Sequence, residues 1–158
     1  MNSLKLLLRK YHSFFYLDAT CRLFLGQAFL LLPFVVICLK FYGLKRTQTT
    51  LAQLLPAPKV PLQNEELRPK IWKITRMVEL AAKYCKPWAN CLKRSLVLWS
   101  LLRHQGIESE LRIGVKREAG KFEAHAWVEW EGIVLNDTQD VRERFAMFER
   151  AIEVNLPS

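Results

Sequence analysis

The stretch 90-NCLKRSLVLWSLLRHQGIESELRIGVKREAGKFEAHAWVEWEGIVLND-137 changes its hydrophobic period partway along, and that change sets the fold class. Leu92, Leu96, Trp99 and Leu102 recur at helical spacing behind Asn90, a good N-cap, and Gly106 ends the pattern. A helix is therefore expected from Cys91 toward Gly106. From Leu111 the period is two: Leu111, Ile113 and Val115 alternate with Arg112, Gly114 and Lys116, as in a half-buried strand. Ala119 and Gly120 then read as a turn and Phe122 to Glu129 as a second strand. Ile133 to Asp137 reads as a third, across a short connection containing Gly132. A helix followed by antiparallel strands is an α+β arrangement, with the helix packed on the sheet.

Further along, residues 140–151 place Val141, Phe145 and Phe148 on one side of an expected helix. On the N-terminal side, Ile71, Ile74, Val78, Ala81 and Cys85 form one core-facing stripe of a helix that begins near Pro69 and is stopped by Pro87. Pro56, Pro58 and Pro61 read as a semi-rigid linker. Before them, Leu23 to Leu39 carries no charge and is bracketed by Arg22 and Lys40, at the lower limit of what crosses a bilayer. Gly26, Gln27 and Pro33 interrupt it, so a helix packed on the protein or lying in a membrane interface competes with a spanning one. The chain divides into an apolar helical segment (1–55), a linker (56–66) and a main domain (67–158), with one core expected.

Apolar residues make up 51% of the chain and charged residues 25%, which excludes a disordered polymer. Lys and Arg outnumber Asp and Glu by 24 to 15, a net charge of +9 that favours acidic peptides or anionic surfaces. The basic residues are dispersed, with no finger spacing and no aromatic-basic RNA signature, so nucleic acid is not an expected partner. Cys21, Cys38, Cys85 and Cys91 do not form a secreted disulfide framework, and no signal-peptide cleavage pattern follows the apolar run. A reducing cytosol is the simpler compartment, with membrane association through residues 23–39 as an added reading.

Chemistry concentrates at Cys91. A cysteine in the first turn of a helix meets the positive end of the dipole and free backbone amides, which stabilise a thiolate, and its own N–H can serve an oxyanion. Lys93 and Arg94 add positive charge. A lone helical cysteine is more often an inert thiol, but here His125 on one strand and Asp137 on the next supply a base and a carboxylate to orient it. A three-residue loop of Trp130, Glu131 and Gly132 would oppose Glu129 to Ile133, Trp127 to Leu135 and His125 to Asp137, whereas a two-residue loop would turn the last pair to opposite faces. The triad reading thus expects the longer loop. Asn136 is a second candidate to orient the histidine, facing away in that register. His12 lies in the N-terminal segment, and His104 stands about 20 Å along the helix from Cys91. Cys85, Cys91, His104 and His125 match no zinc spacing, and no metal or cofactor is expected. Trp88, Asn90 and Trp127 flank the expected cleft, Trp127 as a wall because it shares the face of His125, while an oxyanion role for Asn90 conflicts with its use as a cap.

Pro87-Trp88, Asn90-Cys91-Leu92-Lys93-Arg94-Ser95-Leu96, Gly106-Ile107, Leu111-Arg112-Ile113-Gly114-Val115, Ala124-His125-Ala126-Trp127-Val128-Glu129 and Asn136-Asp137, in this order, resemble the leader peptidases of lasso-peptide biosynthesis. These are transglutaminase-like cysteine proteases, also found as the C-terminal domain of microcin-processing proteins. The resemblance covers about residues 67–137. It implies a papain-like core with Cys91, His125 and Asp137 as catalytic triad, acting to remove the leader from a ribosomally made precursor peptide. It implies as partners that precursor, a separate leader-recognition protein and an ATP-dependent lasso cyclase that receives the freed amine. A related thiol acyltransferase or amidase, and a membrane-associated scaffold that binds precursor without turnover, are the alternatives; an intact triad argues against the scaffold.

Overall fold

The computed structural model describes residues 17–58, 64–86, 88–118 and 120–148, except the side chains of residues 64–66. Expectations at His12, Pro61, Pro87, Ala119 and residues 149–151 lie outside them. In chain order the elements are α1 (Ala19–Leu54), α2 (Asn64–Tyr84), α3 (Cys91–His104), β1 (Glu110–Glu118), β2 (Lys121–Trp130), β3 (Ile133–Val134), α4 (Val141–Arg144) and β4 (Ala146–Met147). The strands form one antiparallel sheet in the order β3-β2-β1-β4.

Asp18 opens α1 by accepting a hydrogen bond from the Cys21 N–H at 2.6 Å, and its other oxygen pairs with Lys73 of α2. Gly43, at φ 72° and ψ −180°, breaks α1 into two helical runs, a backbone state that a side chain would strain. The first run is long and apolar enough to cross a membrane by composition. One face of it is nevertheless core: Phe24, Ala28, Leu32 and Val35 are buried, as is Leu51 beyond the kink. They share a single cluster with Ile74 and Val78 of α2, Leu98 and Leu101 of α3, and Val128 and Trp130 of β2. Apolar α1 therefore packs directly on the main domain. Helix α2 starts at Asn64, earlier than the expected start near Pro69; proline there forfeits one early hydrogen bond without stopping the helix.

Alternation along β2 sends Ala126, Val128 and Trp130 toward the helices, and His125, Trp127 and Glu129 to the opposite face. On that second face a smaller cluster of Trp127, Val134, Val141 and Phe145 closes the sheet.

Three expectations need correction. The β2–β3 connection has two residues, since Trp130 pairs with Ile133 and Glu129 with Val134. Glu131 (φ 46°) and Gly132 (φ 77°) both adopt positive φ, the turn whose twist suits a tight hairpin, and Trp130 is thereby kept for the core. Strand β3 is also shorter than 133–137. Leu135 N–H still donates to the Val128 carbonyl at 2.9 Å, but the Val128 N–H turns to Asn136 Oδ1 at 2.8 Å and the chain leaves the ladder. Lastly, the helix expected over 140–151 ends at Arg144. Phe145 becomes extended and Ala146–Met147 pair with Val115 and Gly114, because the open edge of β1 offers hydrogen bonds that another helical turn would leave unmade.

Phe145 fits there because Gly114 lacks a side chain. A Cβ at Gly114 would lie 2.9 Å from Phe145 Cβ, 3.0 Å from the Trp127 ring and 3.1 Å from the Ala146 carbonyl. Gly114→Ala is accordingly expected to destabilise by about 1 to 3 kcal/mol through overpacking, read as a lower urea midpoint; an unchanged midpoint would show that the Phe145 slot yields freely.

Candidate active site

The geometry rests on a buried polar bridge between α3 and the sheet. The Ser95 hydroxyl donates to the Ala126 carbonyl at 3.0 Å and accepts from Asn136 Nδ2 at 2.9 Å, and both side chains are buried. Cys91 lies four residues before Ser95, hence on the same helix face one turn nearer the N-terminus. Ala126 follows His125 and Asn136 precedes Asp137. One hydroxyl therefore fixes the helix that begins with Cys91 against the segments that carry His125 and Asp137.

Asn90 caps α3, its Oδ1 accepting from the Lys93 N–H at 3.1 Å, and so is engaged as the helix start required. Cys91 is half-buried and its thiol is free. His125 and Asp137 are joined directly, Nε2 donating to Oδ2. Their side chains are only 17% and 14% exposed, so water competes little for the contact. The pair forms despite the two-residue turn. Register decides facing only while the ladder continues, and it has ended before Asp137. With Nε2 engaged by the carboxylate, Nδ1 is the ring nitrogen left for another partner. No hydrogen bond joins Cys91 to His125, among the described residues.

Asp137 is held from both oxygens. Oδ1 accepts from the Thr138 N–H at 2.7 Å and from Arg144 Nη2 at 2.9 Å. Burial on its own would raise the pKa of this carboxyl, but the hydrogen bonds from His125 and the Thr138 amide outweigh it and hold the group below the ordinary carboxylate value. The imidazole is clamped as well: the Phe145 ring stacks on it at 4.9 Å between centroids and the Trp127 ring at 6.1 Å.

Several residues fall elsewhere than expected. Trp127 is fully buried, so it backs the His125 ring and lines no open wall; its Nε1 donates to Glu129 at 2.7 Å. Trp88 is exposed and free to form a rim. Asn136 faces the helix and does not touch His125, in line with its expected facing. His104 bonds the Pro56 carbonyl at 3.1 Å, far along α3. Arg94, read as added positive charge, turns inward to Glu79 Oε2 at 3.1 Å and the Asn136 carbonyl at 3.4 Å. Glu79 was not singled out in the sequence. Burial chiefly raises its pKa, with repulsion from Asp137 adding to that and Arg94 opposing it. Its signal was a carboxylate directly beside the apolar stripe, one residue after Val78. Phe145 was read as helix stripe and Glu129 as an ordinary strand residue, although Glu129 is buried and pairs with Arg142 at 2.8 Å.

The layout is that of α+β folds in which a helix opening on cysteine meets an antiparallel sheet. The profile of the transglutaminase-like superfamily matches residues 30–150, and the chain belongs to that superfamily, which includes cysteine peptidases. Neither a curated protein nor a solved structure shows a match to the chain.

Because folding lowers the Asp137 pKa, its contribution to stability is complete above the unfolded carboxylate value of about 4 and is lost as pH falls through the lower folded value. The thermal midpoint of the wild type should thus drop more steeply on acidification than that of Asp137→Asn, and parallel slopes would assign the acid sensitivity to other groups.

Proposed function

We propose that the protein is a cysteine peptidase that cleaves the leader from a ribosomally synthesised lasso-peptide precursor, with Cys91 as nucleophile, His125 as general base and Asp137 as the group that orients it. The observation that carries the catalytic part is the His125–Asp137 hydrogen bond, whose two segments are tied by the Ser95 bridge to the helix that opens on Cys91. The ordered motifs from Pro87 to Asp137 support the finer assignment of substrate.

The chemistry follows from those positions. His125 Nδ1 takes the Cys91 proton, and the resulting imidazolium is stabilised by the Asp137 carboxylate. The thiolate attacks the scissile carbonyl, and the oxyanion is met by amides at the start of α3, including that of Cys91. The intermediate collapses as His125 passes its proton to the departing amine, leaving the leader as a thioester on Cys91. Water activated by His125 then releases the leader as a carboxylic acid and restores the thiol. The freed amine is the group that a separate ATP-dependent cyclase would join to a side-chain carboxylate. In this reading a separate leader-recognition protein brings the precursor to Cys91.

Mass measurement of precursor incubated with the purified protein and its recognition partner tests this directly. Wild type should yield leader and core peptides, and Cys91→Ala should lose on the order of a thousandfold or more in rate. Equal cleavage by that variant would sink the assignment. Transfer of the acyl group to an added amine in preference to water would move it to the related acyltransferases.

A further inference from the structure

Helix α1 has a second apolar face that the core does not use. Leu23, Leu30 and Ile37, each seven residues from the next, are 58%, 75% and 55% exposed, and Phe41 continues the line at 70%. They lie opposite Phe24, Leu32 and Val35, which are locked into the core against α2 and α3. Arg22 and Lys40 flank this outer stripe about a quarter turn to one side, and Lys40, Lys45 and Arg46 are exposed at its far end.

We infer that the outer face of α1 docks the protein on an anionic bilayer, with the helix lying in the membrane interface along its length and not crossing it. Crossing would require pulling Phe24, Ala28, Leu32 and Val35 out of the core that they share with the helix of Cys91. Charge selects lipid over a second copy of the chain. Antiparallel pairing along the stripe would set Arg22 against Lys40, and parallel pairing would set each against itself, whereas phosphate headgroups neutralise both. Docking stands whether or not Cys91 cleaves peptide, since it rests on α1 alone.

Flotation of the full-length protein with phosphatidylcholine vesicles, with and without phosphatidylglycerol, tests the inference. Wild type should float with the anionic vesicles and about tenfold less with the neutral ones. Leu30→Glu with Ile37→Glu, both at exposed positions, should lower flotation by about tenfold without moving the unfolding midpoint. Arg22→Glu with Lys40→Glu should erase the preference for phosphatidylglycerol. Wild type left unbound, a stripe variant that floats like wild type, or resistance of the bound protein to alkaline extraction would overturn it. So would a wild-type dimer that the stripe variant splits in the absence of lipid binding.

Discussion

The Ser95 hydroxyl sits where three parts of the protein meet, donating to the strand backbone beside His125 and accepting from the side chain beside Asp137. Asn136 extends the bridge by taking the Val128 N–H, a donor that a longer β3 would have satisfied. Buried polar groups of this kind are costly when half satisfied and specific when complete. Here the network satisfies two strand backbone groups that a longer ladder would have paired, the Val128 N–H and the Ala126 carbonyl. The chain can leave the sheet after Leu135 without stranding a buried amide, and so the Asp137 carboxylate reaches the imidazole from outside the ladder.

Around this bridge the charges are graded by what surrounds them. Asp137 and Glu129 are both buried enough for desolvation to disfavour their charge, yet donors reverse the effect in each: His125 and Thr138 for one, Arg142 and Trp127 for the other. Glu79 is half-buried and, among the described residues, is paired with Arg94 while it feels Asp137, so its pKa moves the other way. Arg94 thus pairs with the Glu79 carboxylate and also reaches the Asn136 carbonyl, which links α2 and α3 to the loop carrying the His125 partner. Phe145 completes the setting from the opposite face of the sheet, in the space left by Gly114.

Sequence made the broad plan readable because period and capping are local. The switch from helical to alternating spacing after Gly106 located α3 and β1, and Asn90 marked the helix start that holds Cys91. His125 and Asp137 were paired correctly by residue but for a geometric reason that does not hold. The inference assumed a ladder running to Asp137, whereas the Glu131–Gly132 turn sets the other register and the side chain of Asn136 ends the ladder early. Such substitution of side chain for backbone leaves no periodic trace. The same is true of Phe145, whose spacing from Val141 suits a helix, and whose extended state comes from a distant strand edge and a glycine gap. Trp127 was placed on the correct face, yet facing alone did not reveal that a second small core covers it.

Helix α1 also bears on how the catalytic part could be isolated. The proline-rich segment after it looks like a natural place to cut, since composition changes there and the apolar run precedes it. A fragment starting at that point would lose Phe24, Leu32 and Leu51, each with 2% or less of its surface exposed, and would open the helical side of α2 and α3 to water. The greasy segment that invites removal is the inner wall of the domain. Shortening the protein for the sake of solubility would create the sticky surface it was meant to eliminate.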